Sequence, residues 1–165
     1  MNSDQEFIDY EVFAKKMEEK YPTMFANRYG GFAVGAGWYP ILEKLCSNIQ
    51  HHLDWKEKQR QWAIDFNSKA SPEEMKPVPE VVPQVVVEQI KEKFGGLRFY
   101  YQGGDDQIHG MVRMAEAWAG IACEECGGIG TQRDSGWIRT LCDKHEAERQ
   151  ERNRIAEMKA SGLEE

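Results

Sequence analysis

Positive charge is what this sequence has too little of. Its 165 residues carry 21 Lys and Arg against 28 Asp and Glu, a formal net charge of −7 and a pI near 5.2. Bulk attraction to DNA, RNA or anionic lipid is thereby disfavoured, although a local basic patch is compatible with the balance. Long apolar runs are missing too: nothing approaches the roughly 18 consecutive apolar residues of a membrane-crossing helix. The N-terminal MNSDQEFIDYE has neither a basic n-region nor an apolar h-region, so no signal peptide is expected and the chain is expected to act in the cytoplasm. Cysteine is sparse, at four residues. In a cytoplasmic chain paired cysteines point to metal rather than to disulfides, and at this length a core burying ~70% of the unfolded surface needs no staple. Several catalytic signatures are absent: no G-x-x-x-x-G-K-[ST], no H-E-x-x-H, and no H-x-E ahead of P-C-x-x-C.

What is present is an ordinary globular composition, 41% hydrophobic and 30% charged, sized for one domain, or for one domain and a small metal module. Ser3 and Glu6 form a capping box, and Tyr10, Phe13, Ala14, Met17 and Tyr21 follow at helical spacing until Pro22 stops the helix. Gly30, Gly31, Gly35 and Gly37 read as turns, because the third glycine of a G-x-G-x-x-G phosphate cradle is missing. Pro40 opens a second helix carrying Leu42, Leu45, Cys46, Ile49 and Leu53. Trp55, Trp62 and Phe66 continue it on a drifting face and are expected to be core, with a break near Asp54. Adjacent His51 and His52 point in different directions on a helix and do not suit a shared metal site, and Cys46 reads as a small buried hydrophobe.

Four of the six prolines lie between Pro72 and Pro83. They divide the chain into a helical region (1–68), an extended Pro-rich linker (69–84) and an α+β region (85–165). Residues 85–94 are ambiguous. Valines favour a strand, yet Val87, Ile90 and Phe94 fit helical spacing, and helix is the preferred assignment, with a hairpin at Gly95-Gly96 as the alternative. Leu97–Tyr101 is expected to be a strand with Leu97, Phe99 and Tyr101 on one face. Asp105 or Asp106 caps a further helix through Ile108, Met111, Val112, Ala115, Trp118, Ala119 and Ala122.

The strongest signal is Cys123-x2-Cys126, then 15 residues, then Cys142-x2-His145. Two short pairs of soft or borderline ligands suit one tetrahedral zinc, and four protein ligands leave no open position, which is the mark of a structural site. A knuckle at Cys126-Gly127, a turn at 134–136, a strand over 137–141 and two ligands opening a charged helix to about Lys159 give the order of a treble-clef finger over about 123–145. The fold class is therefore α+β: a mainly helical N-terminal half, a short β element and a C-terminal treble-clef zinc finger. Some treble clefs carry nuclease chemistry with a histidine at a strand end. Here His51, His52, His109 and His145 all lie outside the hairpin strand, so the chain is expected to be non-enzymatic.

Between Gln84 and His145 seven basic residues meet nine acidic ones, so no basic stripe emerges. Arg98, Tyr100, Arg133, Trp137 and Arg139 are the candidate contacts for a partner or for a nucleotide or nucleic acid. The simpler reading pairs Arg133 and Arg139 with nearby carboxylates and packs the alternating aromatics.

Gly37-Trp38 with Leu42 and Leu45-Cys46, the run from Gln89 to Tyr101, Gly103-Gly104-Asp105, Cys123–Gly127 and Gly136–Cys142 together resemble a group of uncharacterised bacteriophage and prophage proteins. The resemblance covers most of the chain from about Trp38 to His145. It implies a phage accessory role in a bacterial cytoplasm, with inhibition of a bacterial defence system as the expected kind of action. The closed metal site, the acidic charge and the lack of a complete catalytic motif make a host protein the expected partner. Nucleic-acid or nucleotide binding is the alternative. The short cysteine pattern also resembles the DksA/TraR type of finger, which binds RNA polymerase, but no coiled-coil tip of that type is identifiable here.

Overall fold

The computed structural model describes residues 10–27, 30–134 and 136–161. The capping box at Ser3 and Glu6 lies outside them. Helix α1 (Tyr10–Lys20) buries Phe13 and Met17 as its spacing requires. A short strand β1 (Phe32–Ala33) and a 3-10 turn (Ala36–Trp38) lead into α2 (Tyr39–Asn67). Strands β2 (Val86–Lys93) and β3 (Gly96–Gln102), helix α3 (Asp106–Ala119), strands β4 (Thr131–Arg133) and β5 (Arg139–Leu141), and helix α4 (Asp143–Ala160) complete the order. No helix among the described residues is long and apolar enough to cross a membrane.

The segment expected to be helical at 85–94 is strand β2 instead. It lies between β1, which it pairs in parallel, and β3, which it pairs antiparallel. The misreading has a physical origin. The β2–β3 register shifts between Val87 and Gln89. That extra residue puts Ile90, rather than Gln89, on the buried face with Val87, so a bulged strand shows the i, i+3 spacing of a helix. The two-residue loop Phe94-Gly95 then closes the hairpin, with Lys93 opposite Gly96. Both loop residues have positive φ, +53° and +74°, as the tight right-twisting hairpin turn demands. For phenylalanine that conformation costs about 1–2 kcal/mol.

Helix α2 runs unbroken for 29 residues, about 43 Å at 1.5 Å per residue. Its first half buries Leu42, Leu45, Cys46, Ile49, His52 and Leu53. The aromatics of its second half are not core: Trp55 and Trp62 are more than half exposed and Phe66 is 37% exposed. Their face has turned away from the body, and what returns along the helix is the Pro-rich segment. Pro77 and Pro79 meet Trp55, Trp62 and buried Ala63 there, and Asn67 bonds the backbone N–H and C=O of Lys76, both at 2.8 Å.

One buried cluster joins elements from both sides of that segment: Phe13, Trp38, Leu42 and Ile49 with Val85, Ile90, Leu97, Ile108 and Val112. Phe13 stacks on Tyr39 with ring centroids 4.1 Å apart. Helix α3 lies along α2 and is capped by Asp105, whose Oδ1 accepts from the Ile108 N–H at 3.1 Å. The other oxygen of Asp105 sits 2.8 Å from Nε2 of buried His52, which ties the start of α3 to the middle of α2. The expected strand over 137–141 is shorter than its apolar pattern suggested, beginning at Arg139.

Candidate metal centre

The chain leaves α3 at Gly120 and turns at once. The N–H of Gly130 bonds Ile121 O at 2.9 Å and the N–H of Cys123 bonds Gly128 O at 2.7 Å, so residues 121–130 form a narrow loop. Gly127 closes the Cys123–Cys126 turn by donating its N–H to Cys123 O at 2.7 Å with φ of +73°, a conformation open to glycine. The second ligand pair stands at the N-terminus of α4, with Cys142 as its N-cap residue. The β4–β5 hairpin, in register Thr131 with Leu141, brings the two pairs together.

One ligand atom from each of Cys123, Cys126, Cys142 and His145 lies within 4.8 Å of the others. Nδ1 of His145 is 3.3 Å from Cys123 Sγ and 3.2 Å from Cys142 Sγ. Around a tetrahedral ion with Zn–S of about 2.3 Å and Zn–N of about 2.0–2.1 Å such atoms stand about 3.5 Å apart. The cluster thus has the composition and size to hold one metal ion. Backbone N–H groups of His145 and Lys144 in the first turn of α4 favour the Cys142 thiolate. The His145 N–H is the larger influence, and together with the neighbouring thiols it outweighs partial burial and lowers the Cys142 pKa. At Cys126 burial dominates and raises it.

The centre is fastened to the rest of the molecule by residues whose place at the metal site no sequence motif marks. Gly35-Ala36-Gly37-Trp38 is neither a phosphate cradle nor a mere turn: it is the seat of the knuckle. The indole of fully buried Trp38 donates to Ala122 O at 2.8 Å. The Gly37 N–H donates to Glu124 O at 2.8 Å, and the Gly35 N–H to Glu124 Oε1 at 3.1 Å. A Cβ on Gly37 would fall 2.3 Å from Cys123 O and 2.5 Å from Gly127 N, so only glycine permits this approach. From the other side, Thr140 Oγ1 donates to Gly95 O at 2.6 Å and Gln132 Nε2 to Phe94 O at 2.7 Å, which seats the β4–β5 hairpin on the tip of β2–β3.

The five candidate contact residues do not form one surface. Arg139 is an internal brace: its guanidinium reaches Glu124 at 2.9 Å and Glu125 at 2.8 Å. Burial disfavours its charge, and these two carboxylates more than offset that. Arg133 pairs with Asp143 and donates to Leu141 O. The pairing reading of both arginines matches these contacts. Arg98 faces outward on β3 opposite Lys91, and Tyr100, 41% exposed, lies under the Lys91 ammonium. Trp137 is 73% exposed and gives its indole N–H to Glu92 at 3.1 Å.

Away from the centre, α2 and α3 leave a groove of about 620 Å³ between them, lined by Ile41, Lys44, Leu45, Met111, Met114 and Trp118 among others. Met114 and Trp118 stand 67% and 59% exposed at its edge, and Ile121 and Ile129, past the end of α3, are exposed as well. No protein-family model, no curated protein and no solved structure matches this chain.

Proposed function

We propose that this is a non-enzymatic, zinc-stabilised binding protein whose partner is a host protein, and that inhibition of a bacterial defence system is the action it serves. The observation that carries the reading is the Cys3His cluster itself: four protein ligand atoms lie within 4.8 Å of one another, and four protein ligands on a tetrahedral ion leave no place for a reactive water or substrate. In this reading the ion is one structural zinc, and knuckle, β4–β5 hairpin and α4 form a treble clef. The metal orders a region of four glycines in 15 residues (127–141) that has little core of its own.

The α2–α3 groove supports a protein partner. Its lining is mainly apolar, with Met114 and Trp118 exposed at its edge, and methionine-lined grooves adapt to apolar side chains. The test is affinity capture from bacterial lysate at physiological salt, comparing the wild-type chain with Met114→Glu and Trp118→Glu. Both positions are more than half exposed, so the variants should keep the fold and the zinc. A specific host protein captured by the wild type and lost from both variants is the expected result. Equal capture by all three, or none by the wild type, contradicts the reading.

A further inference from the structure

The tip of the β2–β3 hairpin breaks a local rule without visible gain to the fold. A two-residue turn with both φ angles positive is served without strain by Asn-Gly, yet Phe94 occupies its first position at φ +53° with its side chain 65% exposed. An exposed aromatic side chain held in a strained conformation is an observation from which function is inferred. Phe94 lines a cavity of about 450 Å³ with Lys91, Glu92, Lys93, Gly136, Trp137 and Ile138, within the about 300–1,000 Å³ of small-ligand sites. Two exposed aromatics, Phe94 and Trp137, thus border one opening.

The cations beside it are not committed to carboxylates. Lys93 lies over the Phe94 ring at 5.5 Å and Lys91 over Tyr100 at 5.3 Å, and Arg98, opposite Lys91, donates to Leu97 O. None of the three has a carboxylate ion pair among the described residues. The one acid in the cavity is already engaged: Glu92 accepts the Gly95 N–H at 2.6 Å and the Trp137 indole N–H at 3.1 Å. Aromatic faces that accept a flat ring, next to ammonium groups that accept an anion, are complementary to a nucleobase carrying a phosphate.

We infer that the cavity between the β2–β3 tip and the 136–138 loop binds one nucleoside phosphate unit, the base against Phe94 and Trp137 and the phosphate at Lys91, Lys93 and Arg98. The site is independent of the α2–α3 groove, so host-protein capture and nucleotide binding fail separately.

The test uses the full zinc-loaded chain and two probes, AMP by titration calorimetry and a fluorescein-labelled octathymidylate by anisotropy, both at low salt. Binding of either supports the inference: AMP alone points to a free nucleotide, the oligonucleotide to a single strand. For the oligonucleotide, one neutralised phosphate gives a log–log salt slope of about −0.7. Phe94→Asn is the decisive variant. It should weaken binding at least tenfold while leaving the melting temperature equal or higher, because Asn suits the turn better than Phe. Trp137→Ala should weaken binding by a similar factor with zinc retained. No binding of either probe overturns the inference. So does a Phe94→Asn chain that binds as the wild type does, or one whose melting temperature falls, which would make the ring a packing element.

Discussion

Gly37 shows how much of this molecule rests on single positions. Its N–H holds the Glu124 carbonyl, and its missing side chain is what lets the 35–38 loop lie against the Cys123–Cys126 turn. The atoms that a methyl group would strike are backbone atoms, which cannot swing aside. Gly37→Ala should therefore cost at least about 2 kcal/mol, by forcing loop and knuckle apart. The readout is tryptophan emission on urea unfolding. Trp38 is fully buried, while Trp55, Trp62, Trp118 and Trp137 are each more than half exposed, so a red shift at lower urea reports the Trp38 contact with Ala122 opening. The ligands were legible because a metal demands both residue type and spacing. The seat was not, because glycine in a sequence signals permissiveness and cannot say which backbone comes close.

At the scale of elements, periodicity decided which were legible. The stripe of α1 finds buried Phe13 and Met17 but also took in Tyr10, which is 42% exposed, and the stripe of the first half of α2 finds Leu42, Leu45, Cys46, Ile49 and Leu53 but not buried His52. Periodicity misled where an element departs from regular geometry or leaves the body. The bulge in β2 imitates a helix, and the second half of α2 keeps an aromatic stripe that the body does not cover. Helix α3 was readable in place, with its cap narrowed to Asp105 or Asp106 and its end put at Ala122 rather than Ala119. Asp105 is the cap, and it supplies a pH test. Burial works against the charge of Asp105, but the bonds from His52 and from the Ile108 N–H outweigh it, so its pKa is lowered on folding. A carboxylate so shifted stabilises fully above its unfolded pKa of about 3.9 and loses that contribution as pH falls through the lower folded value. Asp105→Ala should cost about 1–2 kcal/mol at pH 7, within the range for a lost N-cap. In urea melts at falling pH, the gap to the wild type should close only below about pH 4. A gap unchanged at pH 3 would show that the ionised carboxylate does not carry the cap.

For the whole molecule, the metal centre is where two stretches distant in sequence, 35–38 and 94–95, both dock. Residues 35–38 and 94–95 approach it from opposite sides, one through Trp38 and Gly37, the other through Thr140 and Gln132. In the proposed reading, ligation offsets the ordering of residues 127–141, at roughly 1–2 kcal/mol each, and the docking contacts exist only once that region is ordered. The account stands on the four ligands holding one zinc, and elemental analysis of the purified chain tests it most directly. The wild type should carry one zinc per chain, Cys142→Ser should lose it, and Cys46→Ser, altered at a buried thiol of α2 outside the cluster, should keep it. A Cys142→Ser chain with stoichiometric zinc, or a Cys46→Ser chain without it, would contradict the ligand assignment.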